Sequence, residues 1–161
     1  MGLSRLDNFL KSARGTILYV NPNDLDATDS IENQGNSLTR PFKTIQRALV
    51  ESARFSYQKG LENDRFAKTT ILIYPGDHLV DNRPGFIPIG TNQYRLRNGS
   101  TTNNLPPFDL TSNFDLSTSD NELYKLNSVH GGVIVPRGTS LVGLDLRKTK
   151  IRPKYVPNPT N

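Results

Sequence analysis

The side chains grouped closely enough to suggest acid-base or metal chemistry fall in three places along the 161-residue chain. Asp24, Asp26, Asp29 and Glu32 crowd one polar stretch, the kind of oxygen donors that a calcium ion gathers in number. Their order does not suit an EF-hand, because Asp24-Leu25-Asp26-Ala27-Thr28-Asp29 lacks the regular alternation and the placed glycine of that loop. A solvated acidic loop is the expectation, with calcium as the alternative. Asp77, His78 and Asp81 suggest an acid-base cluster, yet neighbours on a strand face opposite sides and no nucleophile is placed beside them. His78 is expected at a turn or on the surface. Glycoside chemistry would need two carboxyl groups held roughly 5–9 Å apart. The pairs on offer, Asp77 with Asp81 and Asp109 with Asp115, sit at turns or in a polar arm. No catalytic residue, cofactor or metal ligand is therefore expected, and the chain reads as a non-enzyme.

The elements that must hold these groups begin with Thr69-Thr70-Ile71-Leu72-Ile73-Tyr74-Pro75-Gly76, a β-branched run stopped by Pro-Gly. A segment apolar on both faces and bounded by turn residues predicts a strand covered from both sides. Gly15 to Asn23 and Gly132 to Thr139 repeat the design, each meeting a proline at its end. Long connections between three strands of one type predict parallel stacking, with Val133-Ile134-Val135 as the third strand. Ser140 to Leu146 is expected as a fourth, and Phe86 to Ile89 as a further short one.

Between the first two strands lies the clearest helix start. Pro41 suits a first helical turn and Thr39 supplies a capping oxygen. Phe42, Ile45, Leu49 and Ala53 then fall on one stripe, with Lys43, Arg47, Glu51 and Arg54 expected to face water. A separate amphipathic helix is predicted over residues 1–14, where Leu3, Leu6, Phe9 and Leu10 recur at helical spacing. So short a helix is marginal alone, so it either folds back as a cap or docks onto another protein.

The remaining length is polar. Residues 90–131 form a long insertion rich in Asn, Ser and Thr, with Phe108-Asp109-Leu110 echoed by Phe114-Asp115-Leu116 and a capping box at Ser119-Asp120-Asn121-Glu122. It packs on a neighbouring subunit or lies over its own domain. Arg147, Lys148, Lys150 and Arg152 make a basic edge, the default device against strand-edge aggregation, with an acidic partner as the alternative. Residues 153–161 carry three prolines and read as an extended tail. The chain thus divides into an anchor helix at 1–14, one domain at 15–152 and a tail at 153–161.

Composition sets the limits. With 34% hydrophobic residues the core must be thin for the length. There are no cysteines, so no disulfide framework exists and no oxidising compartment is needed. No apolar run is long enough to cross a bilayer, and the N-terminus lacks secretory order. The net charge of +5 is interspersed with 15 acidic residues, which argues against nucleic-acid binding.

The succession Tyr19-Val20-Asn21-Pro22-Asn23, Gly35-Asn36-Ser37, Pro41-Phe42-Lys43-Thr44-Ile45-Gln46-Arg47-Ala48-Leu49 and Thr70-Ile71-Leu72-Ile73-Tyr74-Pro75-Gly76 resembles the opening of right-handed parallel β-helix proteins of the pectate-lyase-like class. That resemblance implies a mainly β fold in which a helix after the first strand caps the solenoid, through Phe42, Ile45, Leu49 and Ala53. More narrowly, the stretches Met1 to Val20, Asp26 to Arg54, Lys68 to Pro84 and Ser128 to Asn161 are similar to the N-terminal region of virion structural proteins, tail-fibre or tailspike-like, of contractile-tailed phages that infect cyanobacteria. The resemblance implies a homotrimer made in the host cytoplasm and carried in the virion tail. It would dock to baseplate or tail proteins through Leu3, Leu6, Phe9 and Leu10, with further coils beyond, where host glycan contact or depolymerase activity would reside. A carbohydrate-active or carbohydrate-binding β-helix is the alternative, and a head or neck decoration protein the third reading.

Overall fold

The chain runs through β1 (Thr16–Val20), α1 (Ile45–Ser56), β2 (Thr69–Ile73), β3 (Gly76–Val80), β4 (Phe86–Gly90), β5 (Gln93–Leu96), β6 (Thr101–Thr102), β7 (Thr139–Gly143) and β8 (Thr149–Pro153). These come from a computed structural model that describes residues 15–30, 32–56, 68–96, 99, 101–103 and 126–156. The expectations for the helix at 1–14, the arm at 104–125 with its capping box, and the tail from 157 onward lie outside those residues. The described fold is mainly β, with one short helix and three small sheets.

The first sheet runs β1-β2-β7, parallel throughout and in unbroken register, so that Thr16, Thr69 and Thr139 lie in one row and Leu18, Ile71 and Leu141 in another. Parallel strands need long connections, and here they are the loop with α1 and the polar insertion. Alternate residues of the first two strands, Leu18, Val20, Ile71 and Ile73, are fully buried against Ile45, Ala48, Leu49, Val50 and Ala53 of α1, with Phe42 and Leu126 completing the cluster. Each such side chain contributes about 1.5–3 kcal/mol on leaving water, which is what fastens the helix to the sheet.

After β2 and again after β7 the chain turns the same corner. The Tyr74 amide donates to the Val20 carbonyl and the Leu144 amide to the Ile73 carbonyl, one pass above the other. Beyond the corner the passes continue as β3 and β8, parallel from Gly76 beside Thr149 to Val80 beside Pro153. The turn between β7 and β8 is longer than the Tyr74-Pro75 turn, and Asp145 holds it by accepting the Arg147 and Lys148 amides at 2.8 and 3.0 Å.

Several expectations change. The third strand of the sheet is Thr139–Gly143 and not Val133–Val135. Gly131 and Gly132 both hold positive φ, and Pro136 has no N–H to give a ladder, so Val133 makes only an isolated bridge with Asn127. The helix begins at Ile45, because Phe42 is drawn into a parallel bridge with Val20. The stretch after Gly76, expected at turns, is the strand β3, while the basic edge is carried by the edge strand β8. Phe86 to Ile89 forms the expected short strand, and it pairs with β5 and β6 in an antiparallel sheet that runs into the polar insertion, where Phe86 meets Tyr94 edge-on at 5.6 Å. Pro88 is tolerated there because β4 is an edge strand.

Candidate functional site

The acid-base candidates are placed by β3 and the turn that follows it. On β3, Asp77 is exposed and stands 3.6 Å from the Arg152 guanidinium, whereas His78 points the other way and is 5% exposed. His78 is thus neither a turn nor a surface residue. Its Nε2 lies 2.8 Å from the Tyr74 carbonyl, which satisfies the ring where it is buried. Asp81 accepts from Arg83 at 2.8 and 3.1 Å and from the Arg83 amide. That hydrogen bond raises the Arg83 pKa above the usual arginine range, and the guanidinium also lies 4.0 Å over the Tyr155 ring. Alternation therefore separates the imidazole from Asp77, and each carboxylate faces an arginine. Asp109 and Asp115 lie outside the described residues.

The acidic loop is put to structural use. Asp24 accepts the Asp26 amide at 2.9 Å, closing a local turn. Asp29 accepts the Lys43 and Thr44 amides at 2.8 and 3.1 Å and the Thr44 hydroxyl at 2.7 Å, just before α1. Thr44 in turn accepts the Arg47 amide through its hydroxyl at 3.2 Å. Thr44 is the capping residue, where Thr39 was expected, and Asp29 brings a negative charge to the positive end of the helix. Among the described residues no group of three or more metal-ligating side chains converges.

Phe42, Ile45, Leu49 and Ala53 are 0%, 3%, 2% and 1% exposed. The residues sequence reasoning missed lie beside them. Arg47 and Glu51, expected in water, are 1% and 5% exposed and joined at 2.9 Å. Arg47 also donates to the Asn33 carbonyl at 3.0 Å and lies 4.6 Å over the Phe42 ring. Asn33, itself buried, donates to the Thr28 and Pro41 carbonyls and accepts the Gly35 amide. Asn127, fully buried, donates to the Arg83 carbonyl at 2.8 Å and accepts from Gln46 of α1. The available signals were an Arg-Glu pair at i, i+4 and an Asn-x-Gly turn, neither of which reports burial.

A cavity of about 450 Å³ opens at the entering ends of β2 and β7, bounded by Lys68, Thr69, Thr70, Gly138, Thr139, Ser140 and Val142. Thr139 bonds Ser52 of α1, while the buried Thr69 hydroxyl has no partner among the described residues. Hydroxyls and one ammonium suit a hydroxyl-rich or anionic molecule held by hydrogen bonds. Among the described residues lining the cavity there is no carboxylate or imidazole.

Leu3, Leu6, Phe9 and Leu10, expected to dock a partner, lie outside the described residues. Among the described residues no helix is long and apolar enough to cross a membrane. Compared with known proteins, the chain matches no protein-family model, no curated protein and no solved structure.

Proposed function

We propose that the chain is a non-catalytic structural component of a contractile-tailed phage virion, an attachment module of a tail fibre whose stacked strands begin a right-handed parallel β-helix. The observation that carries this reading is the in-register parallel succession β1-β2-β7 with a closed first edge. That edge is occupied by backbone: the Tyr19 amide donates to the Gly35 carbonyl, and the Phe42 amide to the Tyr19 carbonyl, both at 2.8 Å. A solenoid needs such a lid, because its first pass presents unpaired backbone and bare apolar side chains. In this reading α1, with Phe42, Ile45, Leu49 and Ala53, is the lid's apolar body. Residues 1–14 dock to the baseplate or another tail protein, and the module assembles as a homotrimer.

Particles grown with residues 1–14 deleted are expected to lack the protein, while the purified variant keeps the cooperative thermal unfolding of the parent. Incorporation at the parental level would overturn the anchor. Density for the chain on the head or neck of an intact particle would instead favour a decoration role.

The cavity at the entering ends of β2 and β7 favours a second reading, a carbohydrate-binding β-helix. Calorimetry with host surface polysaccharide would support it if binding were lost in Lys68→Ala or Thr139→Val. Loss of glycan binding or cleavage in Asp77→Asn or Asp81→Asn would move the site to the β3 side.

A further inference from the structure

Exposure along each row of the stack locates the edge at which the passes stop among the described residues. On the inward face Leu18 and Ile71 are 0% exposed, but Leu141, next in the same row, is 37% exposed. In the second sheet His78 is 5% exposed and its neighbour Ile151 is 50% exposed. The side chains are of the inward type in each case, and what changes is the lack of a further pass beside them.

The backbone gives the same result. Gly138 and Leu144 address β2, through the Gly138 carbonyl and the Leu144 amide, and Lys148 and Lys154 likewise address β3. In a parallel ladder alternate residues point to opposite sides, so Leu141, Gly143 and Ile151 present their amides and carbonyls away from the sheet. Among the described residues nothing pairs with that outer side of β7 or β8. The rim of this edge is strongly cationic: Arg147, Lys148, Lys150, Arg152 and Lys154 are all exposed, and Asp145 is engaged with turn amides.

We infer that the outer edge of β7 and β8 receives an extended acidic segment of another polypeptide, added in trans as the next strand, with apolar side chains at alternate positions over Leu141 and Ile151. Strand addition supplies the missing hydrogen bonds, and the cations select for acidic flanks. The charges argue against a second copy. Two such edges meeting would oppose their own cations, and in the β1-β2-β7 sheet the far edge is already taken by Gly35 and Phe42. This surface stands apart from residues 1–14, so the inference does not depend on the anchor.

The test uses the full chain and a synthetic peptide alternating valine with glutamate, followed by amide hydrogen exchange and by titration at two salt concentrations. The peptide is expected to slow exchange at Leu141, Gly143 and Ile151, and to bind more weakly at high salt. Lys148→Glu with Lys150→Glu should weaken it by about tenfold or more, whereas Lys43→Glu should leave it unchanged. The proposal is overturned if those amides are already protected in the free chain, if a valine-lysine peptide binds as well, if no peptide binds, or if sedimentation shows copies associating through this edge. The exchange readout needs no variant, so a charge variant that fails to fold does not spoil the test.

Discussion

Arg47 and Glu51 place a full ion pair inside a domain whose apolar content is low, and the geometry explains how it is tolerated. One guanidinium nitrogen meets Glu51, another meets the Asn33 carbonyl, and the planar face rests on Phe42. A buried pair gains little over an apolar replacement, but losing one partner strands a charge. Glu51→Ala is therefore expected to lower unfolding free energy by about 3–5 kcal/mol, while Arg47→Met combined with Glu51→Leu stays within about 1 kcal/mol of the parent. Urea unfolding of the three proteins measures both, and a cost for the single variant as small as a surface pair's would mean that water reaches the pair. Gly35 carries a second residue-scale prediction. Its φ is +63°, and a Cβ there would sit 2.1 Å from the Phe42 ring. Gly35→Ala should cost about 2–4 kcal/mol from strain and displaced packing, and the loss should show as a lower Tm. Sequence periodicity found the Phe42-Ile45-Leu49-Ala53 stripe but put Arg47 and Glu51 outside. Hydrophobicity marks the face that wants burial and is silent about a charged face that finds its partners within the fold.

At the scale of elements, the start of α1 shows how neighbours override a local signal. Pro41 and Thr39 make a sound first turn on paper, yet the free edge of β1 offers Phe42 two backbone hydrogen bonds, and the helix does not begin until Ile45. The cap then comes from Thr44, braced by Asp29 from fourteen residues upstream of Lys43. Such a contact has no sequence spacing to betray it. Asp29→Ala removes three acceptor contacts and a favourable charge, so the helix should lose about 1–2 kcal/mol. Asp29→Asn should recover part of that, and thermal unfolding followed at the helix band compares the two. An unchanged midpoint for Asp29→Ala would mean that Thr44 caps unaided. The strands were legible in type and direction more than in place. Residues 16–20 and 69–73 stood out as apolar runs and pair in parallel. The third such run, at Val133, was displaced by Thr139–Gly143 because paired glycines and Pro136 break its backbone. β3 was missed because its pattern is inverted, with His78 inside and Leu79 57% exposed.

For the whole molecule, the arrangement of passes implies that stability is graded along the stack. Where each pass touches only its neighbours, a side chain between two passes loses more on truncation than one on the last pass. Ile71 lies between Leu18 and Leu141 and is fully buried, so Ile71→Ala should cost about 3–4 kcal/mol in transfer and cavity terms. Leu141→Ala and Ile151→Ala remove side chains already 37% and 50% exposed, and each should cost about 1 kcal/mol or less. Amide exchange should follow the same order, with β2 protected most and β7 and β8 opening first. The gradient also separates two accounts of the outer edge. If β7 and β8 were an ordinary solvated edge, adding the acidic peptide would leave the Leu141→Ala cost where it was. If they await another strand, the same substitution measured with peptide bound should become costlier and approach the Ile71 value, because a further pass turns an end position into an inner one. Unfolding of parent and Leu141→Ala with and without peptide closes that cycle, and a difference of zero between its two arms would leave the stack complete as it stands.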